Sequence, residues 1–261
     1  MTRVGVVGAG GKMGRLVCAA VAGDPDLELV AAVDPSEAGS SLHEATGAIG
    51  SDLSVAAEAQ ALVESGAEVA VDFTRPDAVM DTIGFCVEHG IHAVVGTTGI
   101  GPERLEQIEG WLGDHPDVGV VVAPNFSVGA VVGQRLAEEA ARFFPAAEVI
   151  ELHHDQKVDA PSGTAAATAR RIAAARKESW TGPTGGEEYR GGDVEGVRVH
   201  SIRLPGLVAH QEVIFGALGQ TLTIRHDAPD RSCYMPGVLL AVKQVADRPG
   251  LTFGLEPLLG L

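Results

Sequence analysis

Val4-Gly5-Val6-Val7-Gly8-Ala9-Gly10-Gly11-Lys12-Met13-Gly14-Arg15-Leu16 runs, in that order, through a short apolar stretch, a glycine-dense turn and the start of an amphipathic stretch. Strand, glycine turn, helix is the context that a dinucleotide-binding turn requires. Glycine lets the backbone approach a pyrophosphate, and the helix N-terminus offers it unpaired N–H groups. The spacing is Gly-x-Gly-x-x-x-Gly, or Gly-x-x-Gly-x-x-Gly, rather than the strict Gly-x-Gly-x-x-Gly. A tight turn without a ligand has the same composition, but its place directly behind a buried strand favours the binding reading. Asp34 ends the next apolar run, Leu29 to Val33, 20 residues beyond Gly14. An acid there accepts hydrogen bonds from the adenosine ribose and favours NAD; its other possible role is to cap the loop that starts at Pro35. Lys12 and Arg15 beside the turn favour a 2′-phosphate instead. NADH is therefore expected to serve, with NADPH also accepted.

Outward from this turn, the first 125 residues alternate between β-branched and amphipathic runs. Strands are expected at Val4–Val7, Leu27–Val33, Glu68–Asp72, His92–Val95 and Val118–Val122. Helices are expected to start near Gly11, Ser54, Pro76 and Pro102. Strands this apolar are buried on both faces, as in a parallel sheet, and the alternation predicts a doubly wound, Rossmann-like α/β domain. Gly96-Thr97-Thr98 and Asn125 fall just past the fourth and fifth strands, at carboxyl ends where open sheets bind ligands.

The pattern changes after Ala123-Pro124-Asn125-Phe126. A helix is expected over Val128–Phe144, a strand over Glu148–His153 and a helix over Ser162–Lys177, with an exposed loop over 178–196. Three strand-like runs follow without helices between them, Val197–Arg203, His210–Phe215 and Gln220–Arg225, which predicts a second, α+β domain with an antiparallel or mixed sheet. Pro236–Val245 reads as a helix and Leu251–Leu255 as a last strand, and the sequence leaves open which domain they join.

Chemistry concentrates at Glu151-Leu152-His153-His154-Asp155-Gln156-Lys157-Val158-Asp159-Ala160-Pro161-Ser162-Gly163-Thr164. Two imidazoles and an ammonium sit at a strand end, and a helix begins behind them. Ser162 is a good N-cap, and Gly163 and Thr164 then present free amides that suit a carboxylate. Histidine and lysine add a proton donor and a cation. Neighbouring residues in a strand face opposite ways, so His153 and His154 share a pocket only if the strand ends at His153. Zinc held by His153, His154 and Asp155 is the poorer option, because adjacent ligands fit a tetrahedral ion badly; no metal is expected.

The formal charge of −16 disfavours nucleic acid and anionic membranes as partners, and forces any anion site to make its positive potential locally. Three scattered cysteines without a Cys-x-x-Cys pair read as reduced packing residues. With no membrane-length apolar run and no signal-like N-terminal run, a cytoplasmic location is expected.

Residues 151–165 closely resemble the signature of the 4-hydroxy-tetrahydrodipicolinate reductase (dihydrodipicolinate reductase) family, Glu-x-His-His-x-x-Lys-x-Asp-Ala-Pro-Ser-Gly-Thr. The turn at 8–14, Val71-Asp72-Phe73-Thr74-Arg75-Pro76, Gly96-Thr97-Thr98-Gly99, Ala123-Pro124-Asn125-Phe126-Ser127 and Gly206-Leu207-Val208-Ala209-His210-Gln211-Glu212-Val213 fit the same family in the same order. The resemblance implies a dinucleotide-binding domain over 1–127, completed by 236–261, and a substrate-binding and oligomerisation domain over 128–235. It implies that Gly8, Ala9, Gly10, Gly11, Lys12 and Met13 hold the pyrophosphate, Asp34 the ribose, and Gly96, Thr97, Thr98, Ala123, Pro124, Asn125 and Phe126 the nicotinamide side. His153 then matches the acid/base position and Lys157 the proton donor. His154 binds substrate, and Ser162, Gly163 and Thr164 hold its carboxylate. Expected are NAD(P)H-dependent reduction of a cyclic dicarboxylate on the diaminopimelate route to lysine, and a homotetramer. The alternatives are another two-domain NAD(P)-dependent dehydrogenase and a non-catalytic NAD(H) sensor. The first leaves the 151–164 cluster unexplained, and the second lacks a basic DNA-binding stretch.

Overall fold

The computed structural model describes residues 1–43, 53–177, 182 and 189–261. They form two compact units: Met1–Phe126 with Tyr234–Leu261, and Ser127–Cys233.

The first unit is built on six strands: β1 (Thr2–Val7), β2 (Leu27–Val33), β3 (Val69–Asp72), β4 (His92–Val95), β5 (Gly119–Val122) and β11 (Gly250–Phe253). Every pairing is parallel, in the order β11-β5-β4-β3-β1-β2. All residues of β3 and β5 are buried, as the apolar runs Val69–Val71 and Gly119–Val122 require, and Asp72 at the end of β3 is buried with them. Alternate residues Val7, Ala31, Val33, Ala70, Val95 and Val122 pack beneath helices α2 (Gln60–Glu64), α3 (Val79–Glu88) and α4 (Pro102–Asp114). Val4, Val6, Val71, Val94 and Val121, equally buried, point to the other face. There α1 (Lys12–Gly23) lies on β1 and β2, and packs against α7 (Met235–Gln244), which reaches β4. β11 pairs with β5, so the C-terminal tail extends this sheet. β1 sits between β2 and β3, and the glycine turn behind it therefore stands where the strand order reverses.

The second unit holds a mixed sheet in the order β10-β9-β6-β8-β7. Its strands are β6 (Ala146–His153), β7 (Gly192–Val194), β8 (Val197–Arg203), β9 (Ala209–Ala217) and β10 (Gln220–Ala228). Only β6 and β8 run parallel. Helices α5 (Val128–Ala141) and α6 (Gly163–Ala175) cover one face, packing Ala137, Ala141, Ala165, Ala169 and Ile172 on Val149, Val199, Val213 and Phe215.

Three expectations need correction. No helix starts at Ser54. Residues 54–56 are extended, with Val55 N–H on Ser40 O and Ala56 N–H on Ala32 O, and α2 begins only at Gln60. Backbone pairing with the end of β2 wins over the local helical pattern. Of the loop expected over 178–196, residues 178–181 and 183–188 lie outside the described residues, but 192–194 are a strand. It turns into β8 through Glu195 (φ 51°) and Gly196 (φ 79°), two left-handed residues that close a tight hairpin. The last strand stops at Phe253, and a short helix, α8 (Glu256–Leu259), follows it.

Candidate active site

In the first unit the turn is glycine-built for steric reasons. Gly8 has φ +80°, and a side chain there would meet Phe73 O at 2.8 Å; a Cβ on Gly14 would lie 2.0 Å from Gly8 O. Gly11 is the N-cap of α1, no side chain caps it, and the first turn carries no acid. Its leading amides, at Lys12 and Met13, are thus left for an anion, which fits a dinucleotide pyrophosphate. Asp34 takes the capping role and also ties down the glycine turn. Oδ1 accepts from Ser36 N–H (3.0 Å) and Ser36 O–H (2.6 Å), capping residues 35–37, while Oδ2 accepts from Gly10 N–H at 2.9 Å. Burial raises the Asp34 carboxyl, but the Ser36 and Gly10 hydrogen bonds and the Arg15 charge outweigh it and leave it below its usual range. Arg15 is engaged with Gly10 O (2.7 Å) and Glu37 (3.4 Å), and Lys12 is exposed.

The loops behind β3 and β4 are tied together by Asp72, which is 1% exposed. Its Oδ1 accepts from Thr74 N–H (3.0 Å), Thr74 O–H (2.8 Å) and Thr97 O–H (2.7 Å). Burial pushes this carboxyl up, and the threonine hydrogen bonds only partly offset it. The side chains of Thr97, Ala123 and Phe126 are buried, and Phe126 packs on Phe73 with ring centres 5.9 Å apart. Thr98 and Pro124 are exposed, and Asn125 and Gly96 are half-buried, at the same carboxyl edge of the sheet.

In the second unit β6 ends at His153, and the chain turns so that Lys157 N–H donates to His154 O at 3.2 Å. His153, His154 and Lys157 are all half-buried around this turn. The Lys157 ammonium lies 2.7 Å from Asp159 Oδ1. Ser162 caps α6, its hydroxyl accepting from Ala165 N–H at 3.2 Å, while its own N–H donates to Glu151 Oε1 at 3.1 Å. The cap leaves the amides of Gly163 and Thr164, and a Cβ on Gly163 would meet nothing within 4 Å.

Two residues that sequence reasoning did not single out hold this cluster together. Glu151 is fully buried. It accepts from His153 Nδ1 (2.5 Å), Ser162 N–H (3.1 Å) and both prongs of Arg203 (2.7 and 2.9 Å). Burial alone would raise its carboxyl; the hydrogen bonds from His153, Arg203, Ser201 and Ser162 bring it down to about 2. A carboxylate only accepts, so the proton between the two groups sits on Nδ1, and Nε2 is the nitrogen left for proton exchange. Arg203 also donates to Asp159 O (2.7 Å) and Lys157 O (3.3 Å). Glu151 was findable, since it lies two residues before His153 on one strand and so shares its face. Arg203 was not, because only the pairing of β8 with β6 brings it to His153. Among the described residues, no group of three His, Cys, Asp or Glu is placed to hold a metal, and no helix is long and apolar enough to cross a membrane.

Comparison with known proteins finds relatives along the whole chain. Residues 2–126 match the family described as dihydrodipicolinate reductase, N-terminus, and residues 129–259 match dihydrodipicolinate reductase, C-terminus. The chain is 54% identical to the 4-hydroxy-tetrahydrodipicolinate reductase of Nocardia farcinica over 265 residues, covering 99% of each chain. It is likewise 54% identical to that of Cutibacterium acnes, over the whole of both. A dipicolinate-bound dihydrodipicolinate reductase from Paenisporosarcina sp. TG-14 superposes with a TM-score of 0.86 at 38% identity, covering 98% of this chain and 99% of the other. A myo-inositol dehydrogenase from Corynebacterium glutamicum, at 19% identity and a TM-score of 0.60, shares the fold. With both halves matched and relatives this similar along their full length, the chain belongs to the dihydrodipicolinate reductase family.

Proposed function

We propose that this chain reduces 4-hydroxy-tetrahydrodipicolinate to tetrahydrodipicolinate with NADH or NADPH, in the cytoplasm, on the diaminopimelate route to lysine. The observation that carries the reading is the gathering of His153, His154, Lys157 and the two uncapped amides of α6 at one end of β6, in a chain whose net charge is −16. Such a protein collects cationic and amide donors in one place when it must hold an anion there. The dipicolinate bound by the Paenisporosarcina relative is a ring with two carboxylates, the same chemical class.

In this reading the turn from Gly8 to Met13 holds the pyrophosphate and Asp34 the ribose. The loops at 96–98 and 123–126 flank the nicotinamide. When bound, the reduced nicotinamide supplies a hydride. Gly163 and Thr164 N–H hold one substrate carboxylate and His154 the other. The 4-hydroxyl leaves as water together with a proton from the adjoining ring carbon; once the ring has taken up hydride at carbon 4, Lys157, with His153 assisting through Nε2, returns a proton to that adjoining carbon. Arg15 and Lys12 offset the acidity of Asp34 and Glu37 enough for the 2′-phosphate of NADPH to be accepted beside NADH.

A homotetramer suits the face of the mixed sheet opposite α5 and α6. There Ile150, Leu152, Ile202 and Ile214 lie half-buried beside a His200–Glu148–Arg190 ion-pair group. Light scattering measures this directly.

The deciding assay supplies freshly made product of the preceding synthase and follows nicotinamide absorbance with each cofactor in parallel. Turnover with both is expected. Cofactor binding without turnover would point to a sensor, and turnover only with sugar or amino-acid substrates to a different dehydrogenase.

A further inference from the structure

We infer that Glu151 is a positioning residue for the reaction: it sets the tautomer and ring angle of His153 and, through Arg203, the path of the loop carrying Lys157. The inference rests on the roles proposed above for His153 and Lys157.

Both oxygens of this carboxylate accept from more than one donor. Oε2 receives His153 Nδ1 and Arg203 Nη1, and Oε1 receives Arg203 Nη2 and Ser162 N–H. His153 is the last residue of β6 and Ser162 the cap of α6, so one side chain holds both ends of the loop between them. Arg203 carries the same constraint into the middle of that loop through the carbonyls of Lys157 and Asp159. A carboxylate that merely neutralised Arg203 would need neither the imidazole nor the Ser162 amide. Glu151 is wholly buried beneath the cluster and so is placed to act through His153 and Arg203 rather than on a ligand. A neutral imidazole with its Nδ1 proton fixed on a carboxylate keeps Nε2 free as the working nitrogen; an amide in place of the carboxylate turns its NH2 toward Nδ1 and favours the opposite tautomer.

The test reads the ring directly, without substrate. Long-range proton–nitrogen spectra of histidine-labelled wild type, with His153 identified by the signal lost in His153→Gln, report which nitrogen carries the proton in the neutral ring. Nδ1 is expected in wild type and Nε2 in Glu151→Gln. The variant should lose about 100-fold in kcat, within the range a positioned acid or base contributes, while its Kd for NADH stays within about twofold, because the partners of this carboxylate, His153, Ser162 and Arg203, are none of the residues assigned to the dinucleotide. A wild-type ring protonated on Nε2 overturns the inference even if Glu151→Gln does not fold. So does a tautomer switch with kcat unchanged, or a loss of kcat with no switch. Wild type that shows the Nδ1 tautomer but never reduces the dicarboxylate would instead refute the proposed function.

Discussion

The guanidinium of Arg203 grips the Glu151 carboxylate with both prongs, Nη2 2.7 Å from Oε1 and Nη1 2.9 Å from Oε2, across 52 residues of sequence. With one partner fully buried, losing the other strands a charge. A buried pair broken on one side typically costs about 3–5 kcal/mol. The pair is therefore a stability element as well as part of the site.

Its pH dependence has a definite sign. The Glu151 carboxyl is held at about 2 in the folded protein, against its usual 4.5. Above about 4.5 its contribution is complete. As pH falls toward 2, the unfolded chain takes up a proton that the folded one refuses, and roughly 3 kcal/mol is lost. Urea midpoints of wild type and Glu151→Gln, measured in steps from pH 6 to pH 3, should converge as the pH drops. A constant gap would show that this carboxyl is not depressed.

Lys157→Ala should lower kcat by roughly two to four orders of magnitude, the usual cost of losing a positioned acid. The Lys157–Asp159 pair is open on the Asp159 side, which is 59% exposed. Pairs of this kind are worth about 0–1 kcal/mol, so Tm should move little. Near-normal turnover of a folded variant would remove Lys157 from the chemistry.

Gly163→Val separates fold from function. The new side chain meets no protein atom within 4 Å of its Cβ, and valine at a helix position is tolerated at least as well as glycine. Stability should hold within about 1 kcal/mol. The methyl groups would stand where a carboxylate must reach the Gly163 and Thr164 amides, so KM for the dicarboxylate should rise at least about tenfold, the worth of one charge-assisted hydrogen bond. An unchanged KM would mean that the carboxylate binds elsewhere.

Asp34→Ala should cost NADH more than NADPH. The lost ribose hydrogen bond is worth about 1 kcal/mol or slightly more, near a tenfold change in Kd, and removing the acid relieves repulsion of a 2′-phosphate. Fluorescence titration with each cofactor gives the ratio. A fall equal for both would assign Asp34 to holding Gly10 and Ser36 alone.

Much of this fold was readable along the chain, for local reasons. The strands at 27–33 and 92–95 lie where their short, mainly apolar runs predict, and the glycine turn at 8–14 follows from the steric demand at Gly8 and Gly14. Ser162 announced the start of α6 by its capping chemistry. The extended run at 54–56 was hidden because its order comes from pairing with the end of β2, not from its own residues. β7 was hidden for the same kind of reason, with a left-handed Glu195 in its turn where asparagine or glycine would have signalled one.

Composition, periodicity and one dense polar motif determined that this chain carries a parallel nucleotide-type sheet, a second mixed sheet, and a cluster of imidazole, ammonium and amide donors at 153–164. These are properties of neighbouring residues, and short-range sterics and hydrogen bonding are written in the residues themselves. Tertiary structure alone decided which carboxylate serves the cluster and which arginine holds that carboxylate. His153 stands beside Arg203 because β6 and β8 pair in one register of backbone hydrogen bonds. That register is chosen by burying Val149, Val199 and Val213 under α5 and α6, a sum over distant contacts that no stretch of sequence contains.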